Sequence, residues 1–194
     1  MARPRVHDEA LRVRLLDRAG ELLSADGPEA LSLRRLATDV GTSTTAVYSL
    51  FGGKPGLVRE LYVEGFTRLG RRLDGAARTG DPITDLVALG HAYRHGALAN
   101  RHLYAIMFGR AVPDFTPDEQ ALEQSVRHMR ALRTVIDRGI ADGALIDAPT
   151  AEIAYAAWGL VHGLVSLELS GSAPRTDDAR YERALRNGLA GWRR

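Results

Sequence analysis

Residues 32–57 read SLRRLATDVGTSTTAVYSLFGGKPGL. Ser32 is a good N-cap for a short helix ending near Val40, because its hydroxyl can accept from the first unpaired N–H groups. Gly41 can take the positive φ that a tight turn between helices requires. A second short helix starts at Ser43 or Thr44 and ends near Phe51, and the turn Gly52-Gly53-Lys54-Pro55 puts a proline in the first turn of a longer helix. Helices of about eight residues are marginal alone, so these two must pack on something larger. Leu33, Leu36, Ala37 and Val40 face inward from the first, and Val47 with Leu50 or Phe51 from the second. Their platform is a helix from about His7 to Asp26, which Gly27-Pro28 stops. The spacing predicts a helix-turn-helix unit.

The outward face of the second short helix carries Thr44, Thr45, Tyr48 and Ser49 and no acid. A DNA major groove accepts such a face, since phosphates repel carboxylates. Arg34 and Arg35 stand at one flanking helix start and Lys54 at the other, so cations and free backbone N–H groups can clamp phosphates on either side. Arg3 and Arg5 lie on a short arm ahead of the first helix, where they add a further contact.

The pattern is helical almost throughout, with apolar residues recurring at three and four, as in Leu11, Leu15, Ala19, Leu22 and Leu23. The helix begun at Pro55 runs to about Thr79. Asp81-Pro82 opens another to about Ala99, and one spans Asn100 to Ala111. Thr116-Pro117-Asp118-Glu119 reads as a capping box launching a helix to about Asp142. Two more run from Pro149-Thr150 to Ser170 and from Thr176 to about Trp192. The expectation is an all-α fold of about nine helices, with a helix-turn-helix domain in residues 1–55 and a helical bundle in residues 56–194.

The 194 residues suffice for one large domain or two small ones, and 45% apolar with 26% charged residues is ordinary globular composition. With no cysteine, disulfides, thiolate catalysis and Cys-based metal sites are excluded. No apolar run approaches the roughly 20 residues of a membrane span, and no apolar segment follows the charged N-terminus, so the expected location is cytoplasmic. The net charge is only +2, so any basic surface must be local. Among the basic residues only Lys54 is a lysine. No nucleophile–base pair, phosphate loop or paired-carboxylate motif is visible, so neither an enzyme nor a cofactor is expected.

Ser32-Leu33-Arg34-Arg35-Leu36-Ala37, Gly41-Thr42-Ser43 and Tyr48-x-x-Phe51-x-x-Lys54-x-x-Leu57 together resemble the DNA-binding domain of TetR-family transcriptional repressors, over roughly residues 8–57. The resemblance implies that Tyr48 and Lys54 hold phosphates while Thr44 and Thr45, just after Ser43, touch bases; Arg34 falls where some members contact a base. Two positions depart from the pattern. Leu50 replaces a frequent histidine or tyrosine, and Ala46 a common threonine.

In the remaining chain, residues 150–170 are apolar almost all round a helical wheel. One arc holds Ile153, Ala157, Leu160, Leu164 and Leu167, and another Tyr155, Trp158, His162, Val165 and Leu169. Such a helix must pack on its own domain and on something else, and Gly159 and Gly163 allow close approach. The family resemblance implies a homodimer through the last two helices, which also suits two reading helices on a palindromic operator. Trp158-x-x-x-His162-Gly163 also resembles the C-terminal domain of the TetR subgroup named for its Trp-His-Gly signature, implying an unidentified small-molecule effector. Arg94 and Arg133 fall within apolar arcs. Each either forms an internal ion pair or awaits an anionic ligand, with Tyr93, Met107, Phe108, Met129 and Trp158 as apolar walls. His162 is either a hydrogen-bonded core residue or a ligand contact. His91 and His95 are one helical turn apart, with His102 nearby, but nothing in the sequence completes a metal site, and none is expected. The expected function is a homodimeric, ligand-released repressor, coupled through the helix that starts at Lys54. The alternative is a DNA-binding regulator controlled by a protein partner.

Overall fold

A computed structural model describes residues 5–27, 31–76, 79–109, 112, 115–172 and 177–194. Its helices are α1 (Arg5–Asp26), α2 (Leu33–Val40), α3 (Thr44–Phe51), α4 (Lys54–Asp74), α5 (Pro82–Ala99), α6 (Arg101–Phe108), α7 (Glu119–Val126), α8 (Arg130–Ala141), α9 (Thr150–Leu169) and α10 (Asp178–Leu189). Among the described residues there is no strand, only an isolated antiparallel bridge between Leu145 and Arg193. The fold is all-α.

Several ends differ from expectation for local reasons. Arg5 opens α1 rather than lying on an arm, while Arg3, Pro28, Ala111 and Thr176 lie outside the described residues. The cap of α7 is Asp118, not Thr116: its carboxylate accepts from the Ala121 N–H at 2.8 Å. The single helix expected over residues 116–142 is broken by a 3-10 turn at Arg127–Met129, so α7 and α8 share its place. Asp177 caps α10 by accepting from Arg180 N–H at 2.6 Å.

The chain forms two compact units. One takes in the described residues up to Phe66 with Asn100–Ser125, the other Thr67–Ala99 with Val126–Arg194. In the first, Leu15, Leu16, Ala19 and Leu22 of α1 meet Leu36, Ala37 and Val40 of α2, Val47 and Phe51 of α3, and Leu57, Val58 and Leu61 of α4. Each fully buried leucine contributes about 1.5–3 kcal/mol, which offsets the poor intrinsic stability of two eight-residue helices. Leu103 and Ile106 of α6 complete this core. Its rim is tied by ion pairs from Arg18 to Asp39 at 2.8 Å and from Arg59 to Asp118 at 2.6 Å.

One contact sets how α3 meets α4. A Cβ placed on Gly56 would lie 1.9 Å from the Phe51 carbonyl oxygen, and that oxygen is backbone, so it cannot swing aside.

In the second unit α5 lies against α8, α9 and α10. Asp81 caps α5, accepting from Thr84 N–H at 2.9 Å. Asp85 is 1% exposed and accepts from the Thr79 N–H at 2.6 Å, from the Thr79 hydroxyl at 3.0 Å and from Arg138. Burial pushes this carboxyl up, but the Thr79 backbone, Arg138 and the Thr79 hydroxyl outweigh it, and the net shift is below the ordinary carboxylate value.

Both contacts can be tested by unfolding. Gly56→Ala should destabilise the first unit by about 1–3 kcal/mol, the usual cost of overpacking, seen as a lower urea midpoint. For Asp85, a folded-state value below the unfolded one means stability that is present above about pH 3.9 and lost as pH falls through the lowered value. Urea titrations between neutrality and acid should therefore show a steep acid limb, and Asp85→Asn should be less stable at pH 7 with a shallower limb.

Candidate functional site

The helix-turn-helix face is built by two caps and one glycine turn. Ser32 Oγ accepts from the Arg35 N–H at 3.4 Å and Ser43 Oγ from the Ala46 N–H at 3.1 Å. Between them Gly41 adopts φ 72°, and its N–H donates to the Thr38 carbonyl at 3.1 Å. These short-range bonds start and stop α2 and α3, while Val47 and Phe51 pin α3 to the core.

The opposite face of α3 is open. Ser43, Thr45 and Ser49 are exposed, Thr44 is half-buried, and Tyr48 presents 54% of its surface. Its ring reaches back over the next turn, with Cε1 3.8 Å from where a Cβ on Gly53 would stand. Arg34 and Arg35 are exposed at the start of α2, and half-buried Lys54 is the first residue of α4. The nearby acids are held by cations: Asp39 by Arg18, and Asp26 by Arg35 at 3.1 Å. Arg35 must therefore share its charge if it also meets a phosphate. Leu50 is partly buried against the core, so its departure from the family pattern puts packing where a polar contact would stand. Gly56 escaped the sequence reading. Its only signal was a third glycine within the GGKPG run, and what it seats becomes visible only with Phe51 beside it.

The second unit holds a small cavity of about 40 Å³. Tyr93, Met129 and Trp158 line it, together with leucines of α4, α5, α8, α9 and α10. His162 does not line it but meets Tyr93, whose hydroxyl is 2.9 Å from Nδ1. Burial pushes the imidazole below its ordinary value. The other candidates lie elsewhere. Met107 and Phe108 pack against the core of the first unit, with Phe108 5.3 Å from the Phe66 ring. Arg133 is exposed rather than buried in an apolar arc. The helix that carries it, α8, buries Ala131, Val135, Ile136 and Gly139 instead.

Arg94 has internal partners instead of an open anion site. Its guanidinium grips Glu168 in two bonds of 2.7 and 2.9 Å and Asp178 in one of 2.6 Å, and it lies 5.0 Å from the centre of the Tyr181 ring. The Glu168 bonds raise Arg94 further above its already high ordinary value, and Arg94 in turn lowers Asp178. Asp178 also brings a third donor to the histidine pair, its carboxylate and the nitrogens of His91 and His95 lying within 4.8 Å of one another. That carboxylate is already shared with Arg94, so the group reads as an ion-pair network joining α5 to α10. His102 belongs to the other unit.

Comparison with known proteins places this geometry among relatives. A family model described as "Bacterial regulatory proteins, tetR family" matches residues 15–61, and one described as "Tetracyclin repressor-like, C-terminal domain" matches residues 86–188. The HTH-type transcriptional regulator Rv1816 of Mycobacterium tuberculosis is 26% identical over 141 residues, which make up 70% of this chain but only 59% of that relative. Among solved structures, a protein of unknown function from Rhodococcus sp. RHA1 is 28% identical with a TM-score of 0.79, over 95% of this chain and 96% of that one. The TetR family transcriptional regulator PfmR from Thermus thermophilus shares the fold, with a TM-score of 0.67 at 23% identity over 90% of this chain and 93% of that one. Among the described residues, no helix is long and apolar enough to cross a membrane.

The two arginines should behave oppositely on substitution. Arg94→Met leaves the Glu168 carboxylate, 7% exposed, without its main cation and should cost about 3–5 kcal/mol in urea unfolding. Arg133→Ala, at an exposed position, should change stability by less than about 0.5 kcal/mol.

Proposed function

We propose a repressor released by a small molecule, on the premise that the chain belongs to the TetR family of bacterial regulatory proteins. As a family member it is a transcriptional regulator. The finer reading is that it binds a palindromic operator in the cytoplasm as a homodimer and leaves it when an effector binds.

The observation that carries the DNA half is the open face of α3, which bears hydroxyls and a phenol and no carboxylate, between helix starts carrying Arg34, Arg35 and Lys54. Tyr48 and Lys54 position the duplex by its phosphates. Thr44 and Thr45, following Ser43, meet base edges, because the first turn of a reading helix points deepest into the major groove.

Support for a homodimer through the last two helices comes from α9. Tyr155 is 75% exposed and Leu167 49%, and a Cβ at Gly159 or Gly163 would meet nothing within 4 Å. Large apolar side chains left open beside small residues suit a close helix–helix contact with a second copy. Effector control is supported by the cavity, whose lining includes Leu73 near the end of α4, the helix that Lys54 begins. Ligand-induced movement of α4 would alter the spacing of paired reading helices, and a coupling of about 1–3 kcal/mol is the usual scale for such a shift.

Tyr48→Ala and Lys54→Ala test the DNA half by fluorescence anisotropy on the chain's own promoter region. Both should weaken binding while leaving the thermal unfolding midpoint unchanged. For Lys54→Ala the slope of log affinity against log salt should fall by about one. Unchanged affinity and slope in both variants would remove the assigned phosphate roles.

A further inference from the structure

We infer that the molecule taken by the cavity of the second unit is uncharged and largely apolar, with no more than one or two hydrogen-bonding groups. This rests on the effector reading above and names the chemistry of the ligand.

The described residues of the lining include no arginine, lysine, aspartate or glutamate. The side-chain hydrogen-bonding atoms on its walls belong to Tyr93, His128 and Trp158. All three carry aromatic rings, and the Trp158 ring lies 6.1 Å from that of His128 and 5.8 Å from that of His162. The remaining walls are aliphatic: leucines, Val161, Met129, Ala157 and Gly90.

Arg94 follows Tyr93 directly, and the sequence made it a candidate anion receptor. Its guanidinium is instead engaged by Glu168 and Asp178. The guanidinium does not line the cavity, so it supplies no counter-charge to a carboxylate or phosphate guest. Such a guest would lose its water and gain no counter-charge. A cationic guest fares little better, because neither Glu168 nor Asp178 reaches the lining.

Size points the same way. As it stands the cavity holds about 40 Å³, far below the roughly 300–1,000 Å³ of an open small-molecule pocket. A guest must part leucine and methionine side chains, which soft apolar contact favours and a hydration shell does not.

The test uses three compounds of one shape: 4-phenylbutanol, 4-phenylbutanoate and 4-phenylbutylamine. Binding is followed by calorimetry and by Trp158 emission in the full chain carrying Trp192→Phe, which leaves Trp158 as the one tryptophan. The alcohol should bind at least about 30-fold tighter than either ion, the penalty for burying an unpaired charge being large. Ala157→Phe, which fills the cavity, should abolish its binding. The affinity order in the Trp192→Phe chain decides the chemistry even if the cavity-filling variant does not fold. If the butanoate or the amine binds as tightly as the alcohol, the neutral class is overturned while an effector role stands. If none of the three moves the emission or the heat signal, the inference is overturned. Anisotropy on promoter DNA separates the reading beneath. Alcohol binding that leaves the DNA complex intact supports the ligand class and overturns release by this cavity.

Discussion

The carbonyl oxygen of Phe51 occupies the space that a side chain at residue 56 would need. This approach seats the last turn of α3 on the first turn of α4. Residues that meet DNA must hold their spacing to a fraction of an ångström, because hydrogen bonds to bases and phosphates weaken steeply with distance and angle. Tyr48 stands on one side of this contact and Lys54 on the other. A glycine thus fixes the geometry of a polar surface without adding a side chain to it. The buried faces of Val47 and Phe51 hold the same helix from beneath.

Charge is handled differently in the two units. In the first, arginines at the rim pair with the acids nearest the exposed face of α3, in a chain whose net charge is only +2. Long-range attraction of a polyanion depends on that local distribution more than on the total. In the second, Arg94 is consumed internally. A guanidinium 6% exposed is tolerable there because three hydrogen bonds to two carboxylates replace its water. Neither arginine nor lysine is among the described residues that line the cavity.

The reading of Arg94 and Arg133 illustrates where periodicity carries and where it stops. Both sit in apolar arcs on an ideal wheel. For Arg94 the wheel was right about burial, since Ile83, Leu86, Val87 and Ala97 are buried around it. For Arg133 it was not: α8 turns Ala131, Val135, Ile136 and Gly139 inward and leaves Arg133 exposed, and the helix expected as one piece is broken by a 3-10 turn at residues 127–129. No residue type in that stretch announces a 3-10 turn. Met107 and Phe108 pack against the core of the first unit, and apolar and aromatic residues look alike in sequence whether they line a cavity or fill a core.

Capping, turn chemistry and apolar spacing are short-range properties, so the helices and the helix-turn-helix unit are legible in the chain before it folds. Ser32, Gly41, Ser43 and Gly52 act on neighbours within a few residues, and the exposed face of α3 follows once its buried face is known. Which distant side chains share an environment was settled by packing alone. Arg94 meets Glu168 and Asp178 across 74 and 84 residues of chain, and the segment Asn100–Ser125 joins the unit built from the first 66 residues. Such pairings depend on how whole helices pack, and packing selects among many apolar faces that local pattern leaves equivalent.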